Sequence, residues 1–183
     1  MYKRQIIDQT KIELDIAKLG TIAKAVLSAP RIYIFAKGES YLAGCIFRNN
    51  LLKLDRHVTM ADDGGLQTLH VKNGKPGDLY LFLSYSGIHY DYSKYAATLS
   101  ERGIKPCLIT AFSDSALAKQ CDTVLLIPKS ERVIGKVANY SSMISLTYTL
   151  QVIYSLIFNQ DYQENYRVKR EADSFIFTSF AEI

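Results

Sequence analysis

The residue types best suited to chemistry in this 183-residue chain are gathered in Ser84-Tyr85-Ser86-Gly87. An apolar run, Leu79-Tyr80-Leu81-Phe82-Leu83, stops there abruptly, and an amphipathic segment follows. The chemistry on offer is anion binding. A loop that opens a helix presents free backbone N–H groups at the positive end of the helix dipole. The hydroxyls of Ser84 and Ser86 can donate further hydrogen bonds to a phosphate without adding charge. The competing reading is structural, since serines are also ordinary turn and N-cap residues.

Other groups offer less. Cys45, Cys107 and Cys121 are far apart and odd in number, so they form neither a metal-ligand spacing nor a disulfide framework. Their apolar surroundings predict buried, reduced thiols. His57 and His70 have no partner pattern for catalysis or metal, and a structural role is expected. Arg167 to Arg170 is the one dense basic group, but Glu164 and Glu171 flank it, which predicts a solvated surface patch.

The elements that would position the serine loop can be read from periodicity. Ile12, Ile16, Leu19, Ile22, Ala23 and Val26 recur at helical spacing and predict one amphipathic helix over 8–28, stopped by Pro30. Runs at 31–36, 56–60, 79–83, 104–110 and 123–127 predict five strands. Between them lie expected helices over 41–54 (Leu42, Cys45, Ile46, Asn49 and Leu52 inward), 66–71, 89–102 and 115–119. Gly103 suits a left-handed helix end. A long helix is expected over 135–159. Alternation of this kind indicates an α/β fold with a parallel sheet. Its strands share a C-terminal edge, where ligands bind at the switch in strand order. The loops after the first, third and fourth strands, at Lys37–Ser40, Ser84–Gly87 and Thr110–Ser113, leave that edge.

Composition adds bounds. Hydrophobic residues make up 48% and charged residues 22%, ordinary for a soluble globular chain of one domain. The net charge of +4 is mild and scattered, so nucleic-acid binding by this chain is not indicated. The first fifteen residues lack the apolar core of a secretion signal, and with the unpaired cysteines this predicts a cytoplasmic protein. The uncharged stretch between Lys136 and Asp161 is diluted by serine, threonine and asparagine, and predicts a buried or interface helix with no membrane span. The closing Phe175-Ile176-Phe177-Thr178-Ser179-Phe180 is too apolar to be left loose, and is expected to pack on its own domain or on a partner subunit.

Several ordered motifs resemble those of the SIS (sugar isomerase) family of phosphosugar-binding domains. They are Ala36-Lys37-Gly38-Glu39-Ser40 after the first strand; Gly77-Asp78 before the third; Ser84-Tyr85-Ser86-Gly87-Ile88-His89 after it; Ile109-Thr110; Ser115-Ala116-Leu117-Ala118; and Cys121-Asp122. Two positions depart from the pattern: Ala36 replaces a glycine, and His89 replaces a threonine. The resemblance implies a three-layer flavodoxin-like fold with a five-stranded parallel sheet flanked by helices. One SIS domain would span 1–183, with a linking helix over 1–29, an α/β core over 30–160 and a tail over 161–183. Within the family the chain is most similar to the effector domains of RpiR-type transcriptional regulators. Such domains sense a sugar phosphate and control carbohydrate-metabolism genes. The resemblance further implies a homodimer or higher homo-oligomer. DNA would be met only through a helix-turn-helix domain absent from this chain.

On that resemblance the ligand-binding residues are Gly38, Ser40, Ser84, Ser86, Gly87 and His89, with the N–H groups of Gly87 and Ile88 completing the phosphate cradle. Ser40 would meet sugar hydroxyls or the same phosphate. His89 would donate a ring N–H to the phosphate, whose charge would favour the protonated ring; the plainer reading is a surface histidine in a first helical turn. Glu39 is either a partner for a sugar hydroxyl or a solvated side chain. Isomerising relatives carry a catalytic glutamate near Glu131. If the chain is instead a free-standing sugar-phosphate isomerase or lyase, Glu131 is the base; otherwise it is an acid complementing a helix N-terminus. No metal or cofactor is implied.

Overall fold

The protein is described by a computed structural model covering residues 2–61, 63–135 and 139–181. Five apolar runs form one sheet. They are β1 (Ile32–Ala36), β2 (Val58–Met60), β3 (Leu79–Leu83), β4 (Cys107–Thr110) and β5 (Thr123–Leu126). The strands run in the order β2-β1-β3-β4-β5, all parallel. Both faces are covered, which is why β1 and β3 read as continuous apolar runs.

The period-two alternation sorts the side chains into two cores. Ile32, Ile34, Leu79, Leu81 and Leu83 enter an aliphatic layer shared with α2 (Ile16–Ser28), α3 (Glu39–Leu52) and α6 (Tyr140–Gln160). Tyr33, Phe35, Tyr80 and Phe82 point the other way, into an aromatic layer under α5 (Tyr90–Glu101) and α4 (Gly64–Lys72). Phe35 meets Phe82 edge-on at 5.4 Å, and Tyr33 stacks on Tyr80 at 4.7 Å. The sheet, flanked by helices on both faces, is the α/β architecture expected.

The N-terminal helix is two helices rather than one: α1 (Tyr2–Glu13) and α2. Asp15 makes the break. Its backbone is extended (φ −77, ψ 106) and its carboxylate accepts from Lys18 N at 3.0 Å, an N-cap that ends one helix by starting the next. The apolar spacing runs on across this break although the helix does not, and Ile12 and Ile16 beside it are 83% and 81% exposed rather than inward. Helix α1 packs on α6 instead, through Ile6 and through Thr10, whose hydroxyl donates to Ser145 Oγ at 2.9 Å.

Helix α3 also turns a different face inward. Ala43, Gly44, Phe47 and Leu51 are buried, whereas Leu42, Ile46, Asn49 and Leu52 are exposed and Cys45 is half-buried. The helix is apolar nearly all round, so its periodicity does not choose a face; close approach does. A Cβ at Gly44 would stand 2.6 Å from Met60 Cε and 3.2 Å from Leu83 Cδ1, so the helix sits close on the sheet at this glycine and a larger residue would make Met60 move.

Beyond Asp161 the polar tail is a further helix, α7 (Tyr162–Ala181). Asn165 Nδ2 donates to the carbonyls of Ile157 and Phe158, binding α7 to the end of α6. Phe175 and Phe177 are 76% and 75% exposed, so most of their surface is left uncovered by their own domain; the side chain of Phe180 lies outside the described residues. Strand β4 starts at Cys107 rather than Ile104, because Pro106 has no N–H for the ladder. In place of the helix over 115–119 there is a 3-10 turn at Ala118–Gln120. Helix α6 reaches a mean hydropathy of 1.3, enough by length and composition to cross a membrane, and its Leu146, Leu150, Ile153 and Ile157 are buried in the aliphatic layer.

Candidate functional site

The order of the strands reverses beside β1, and a cavity of about 240 Å³ opens at the C-terminal ends of β1 and β3. Its polar walls come from the β1–α3 loop, the β3–α5 loop and the start of α6, and Ile109, Ile127, Val133 and Leu146 add apolar surface. Gly38, Ser40, Ser84, Ser86 and His89 all line it. Residues separated by more than forty positions in the chain are thus gathered by the parallel pairing of β1 with β3, Ala36 lying opposite Leu83.

Gly87 does not line the cavity. Its N–H, expected in the anion cradle, is donated to Ser84 Oγ at 3.1 Å. Ser84 is therefore both a turn-closing acceptor and, through its own proton, an available donor. Gly87 itself has φ +64, and a Cβ there would stand 2.2 Å from Ser115 Oγ. Glycine is required at this position by conformation and by space. Thr110 supports the loop from behind, its Oγ1 donating to the Tyr85 carbonyl at 3.0 Å.

His89 is the N-cap residue of α5 (φ −68, ψ 110), and its ring makes no capping bond. Burial first, then the charge of Lys37, hold its pKa below the ordinary histidine value, against an opposing pull from Asp91. A phosphate dianion beside the ring would act in the opposite sense.

Glu131 lies outside the cavity wall. Its carboxylate accepts from the backbone N–H of Ser141, from Ser142 N at 3.0 Å and from Ser142 Oγ at 2.8 Å. It caps α6 from a preceding loop, the electrostatic role of an acid at a helix N-terminus. Tyr85, between the two serines, holds that loop: its hydroxyl accepts from Glu131 N at 2.8 Å and donates to Glu131 O at 3.1 Å. The role of Tyr85 had no sequence signal beyond its place between two loop serines.

Lys37 is the second residue that sequence reasoning passed over. It lines the cavity, its Nζ lies 3.6 Å from Asp91 Oδ2, and it stands 5.2 Å from the centroid of the Tyr92 ring. Its signal was position, one residue past the end of β1.

Cys107 is buried, while Cys45 and Cys121 are half-buried; all three are free. Burial pushes the Cys107 thiol up to about 11 and the Cys121 thiol up to about 12. Among the described residues, no group of three or more His, Cys, Asp or Glu side chains is placed to hold a metal ion.

A parallel sheet in this strand order, with a serine-rich cavity at its switch point, is the architecture of a ligand-binding α/β domain. The chain belongs to the SIS domain family, whose model matches residues 26–157. It is 27% identical over 166 residues to an HTH-type transcriptional regulator of Caldanaerobacter subterraneus, covering 89% of this chain and 57% of that protein. It is 31% identical over 119 residues to the isomerizing glutamine–fructose-6-phosphate aminotransferase of Pyrobaculum aerophilum, covering 63% of this chain and 19% of that protein. The chain thus spans little more than half, or about a fifth, of these curated relatives. Among solved structures, Vibrio vulnificus NanR complexed with ManNAc-6P superposes with a TM-score of 0.86 at 20% identity, covering 97% of this chain and 68% of NanR. The sugar isomerase domain of an RpiR transcription factor from Sphaerobacter thermophilus superposes with a TM-score of 0.81 at 21% identity, covering 94% of each chain. At such identities the likeness is one of fold.

Proposed function

We propose that this chain is the phosphosugar-binding effector domain of an RpiR-type transcriptional regulator, sensing a sugar phosphate to control carbohydrate-metabolism genes. The observation that carries this reading is the convergence of Gly38, Ser40, Ser84, Ser86 and His89 on one cavity at the switch point. The hydroxyls of Ser84 and Ser86 and the ring of His89 take the phosphate, and Gly38 and Ser40 face the sugar. The kinship with an HTH-type regulator supports the regulatory half of the reading. The domain works as a homodimer or higher homo-oligomer in the cytoplasm, and DNA is met through a helix-turn-helix segment outside this sequence. The capping bonds of the Glu131 carboxylate favour a sensor over an isomerase, because a base must reach the substrate.

A thermal-shift panel of sugar phosphates, followed by a turnover assay on each hit, tests it. Binding at one hundred times Kd contributes about 2.7 kcal/mol. For a chain of this size that is roughly 5–10 °C in Tm. Stabilisation without turnover, lost in Ser84→Ala and Ser86→Ala, is the expected result. Turnover that disappears in Glu131→Gln would replace the sensor by an isomerase, and a panel without any shift would overturn both.

A further inference from the structure

The serines that line the cavity carry no charge, yet a phosphate monoester carries roughly −1.5 to −2 near neutral pH. Taking such a dianion out of bulk water requires a compensating cation or oriented dipoles. Among the described residues lining the cavity, Lys37 is the only lysine or arginine. Neighbouring cations are engaged elsewhere: Lys94 lies 4.5 Å over the Tyr90 ring, and Lys129 lies 4.2 Å over Phe112 beside a separate surface cavity.

Lys37 is held in place without being locked. Its ammonium faces the Tyr92 ring at 5.2 Å and the Asp91 carboxylate at 3.6 Å. The side chains of Lys37 and Asp91 are 43% and 61% exposed. An ion pair that long and that open to water contributes about 0–1 kcal/mol. Asp91 lies in the first turn of α5, the helix that the Ser84–His89 loop enters. A phosphate bound to that loop and Asp91 are therefore like charges competing for one ammonium. The phosphate has up to twice the charge and also accepts from the serine hydroxyls of the cavity, so it prevails.

We propose, building on the phosphosugar reading above, that Lys37 is the cation that binds the ligand's phosphate, and that Asp91 is the internal counter-ion which the phosphate displaces from it. Asp91 thereby sets the affinity of the site without contacting the ligand. It keeps Lys37 neutralised until an anion of higher charge arrives.

Isothermal titration of the chain with inorganic phosphate, at low ionic strength, tests this. Asp91→Asn should tighten binding about 2- to 5-fold, and Lys37→Met should weaken it at least about 10-fold. The double variant should bind no better than Lys37→Met, because Asp91 acts only through Lys37. The gain in Asp91→Asn should shrink in high salt, since both groups are exposed. If phosphate binds the wild-type chain and Asp91→Asn leaves affinity unchanged or weaker, the counter-ion role is overturned while the phosphate site stands. If the double variant keeps the full gain, Asp91 acts on the ligand directly and the pairing with Lys37 is overturned. If neither inorganic phosphate nor any sugar phosphate binds the wild-type chain or Asp91→Asn, the phosphosugar reading fails and this inference fails with it.

Discussion

Gly87→Ala is the substitution whose consequence follows most directly from the geometry. Two separable effects act. The first is conformational: at φ +64 an alanine Cβ crowds the neighbouring backbone, which costs about 1–2 kcal/mol. The second is steric. The added Cβ would lie 2.2 Å from Ser115 Oγ and 2.6 Å from Ser115 Cβ, so Ser115 must move. Moving it breaks the bond that Ala118 N donates to Ser115 Oγ at 3.2 Å, worth about 0.5–1.5 kcal/mol net. The sum is about 1.5–3.5 kcal/mol, or roughly 3–14 °C in Tm for a chain of this length. Urea denaturation of Gly87→Ala, Ser115→Gly and the double variant separates the two effects. Ser115→Gly should return the steric part and leave the conformational part, so the double variant should be less destabilised than the sum of the single ones. A loss below about 0.5 kcal/mol in Gly87→Ala, or strict additivity in the double variant, would refute the reasoning. Phosphate affinity should fall in parallel, because the same glycine sets the turn that holds Ser84 and Ser86.

Four further outcomes are expected. Tyr85→Phe deletes both bonds to the Glu131 backbone and should cost about 1–3 kcal/mol, with faster amide exchange at Ser141 and Ser142. Arg31→Ala strips the bidentate partner from buried Asp78, which also accepts from Lys75 N at 2.7 Å, and should cost about 2–4 kcal/mol in chemical denaturation. Because the folded pKa of His89 lies below its unfolded value, the unfolded chain binds the extra proton. Stability contributed by His89 is then present above the unfolded pKa and lost as pH falls through the histidine range; His89→Gln should flatten that part of the stability–pH curve. Cys107 and Cys121, with thiols pushed up to about 11 and about 12, should resist a maleimide at pH 7.5 in the native state and react on unfolding.

The sheet was legible because β1 and β3 are covered on both faces, leaving unbroken apolar runs such as Leu79–Leu83. The serine loop was legible for a related reason: a polar tripeptide directly after such a run has few places to go but the sheet edge. Helix faces were less so. Helix α3 is apolar on several sides, and its orientation is set by the packing of Ala43, Gly44, Phe47 and Leu51 on the sheet. The Asp15 break was written in the sequence as an N-cap residue, but the apolar spacing continued across it and masked the signal. Lys37 and Glu131 show the same limit within the site. Each has several roles open to it as a residue type, and its role is set by what lies across from it, Asp91 in one case and the start of α6 in the other.

Local sequence was sufficient wherever burial or turn chemistry acts on neighbours in the chain. The five strands, the loop of Ser84–Gly87 and the SIS motifs all belong to that class. Tertiary structure alone decided what depends on partners distant in sequence. It sorted the aliphatic from the aromatic core, placed Gly38 and Ser40 against Ser84 and Ser86 across the β1–β3 pair, tied Tyr85 to Glu131, and set Lys37 beside Asp91. The physical reason is range. Hydrophobic patterning and capping act within one or two turns, whereas ion pairing and cavity formation act through space, and only the folded chain brings those groups within ångströms of one another.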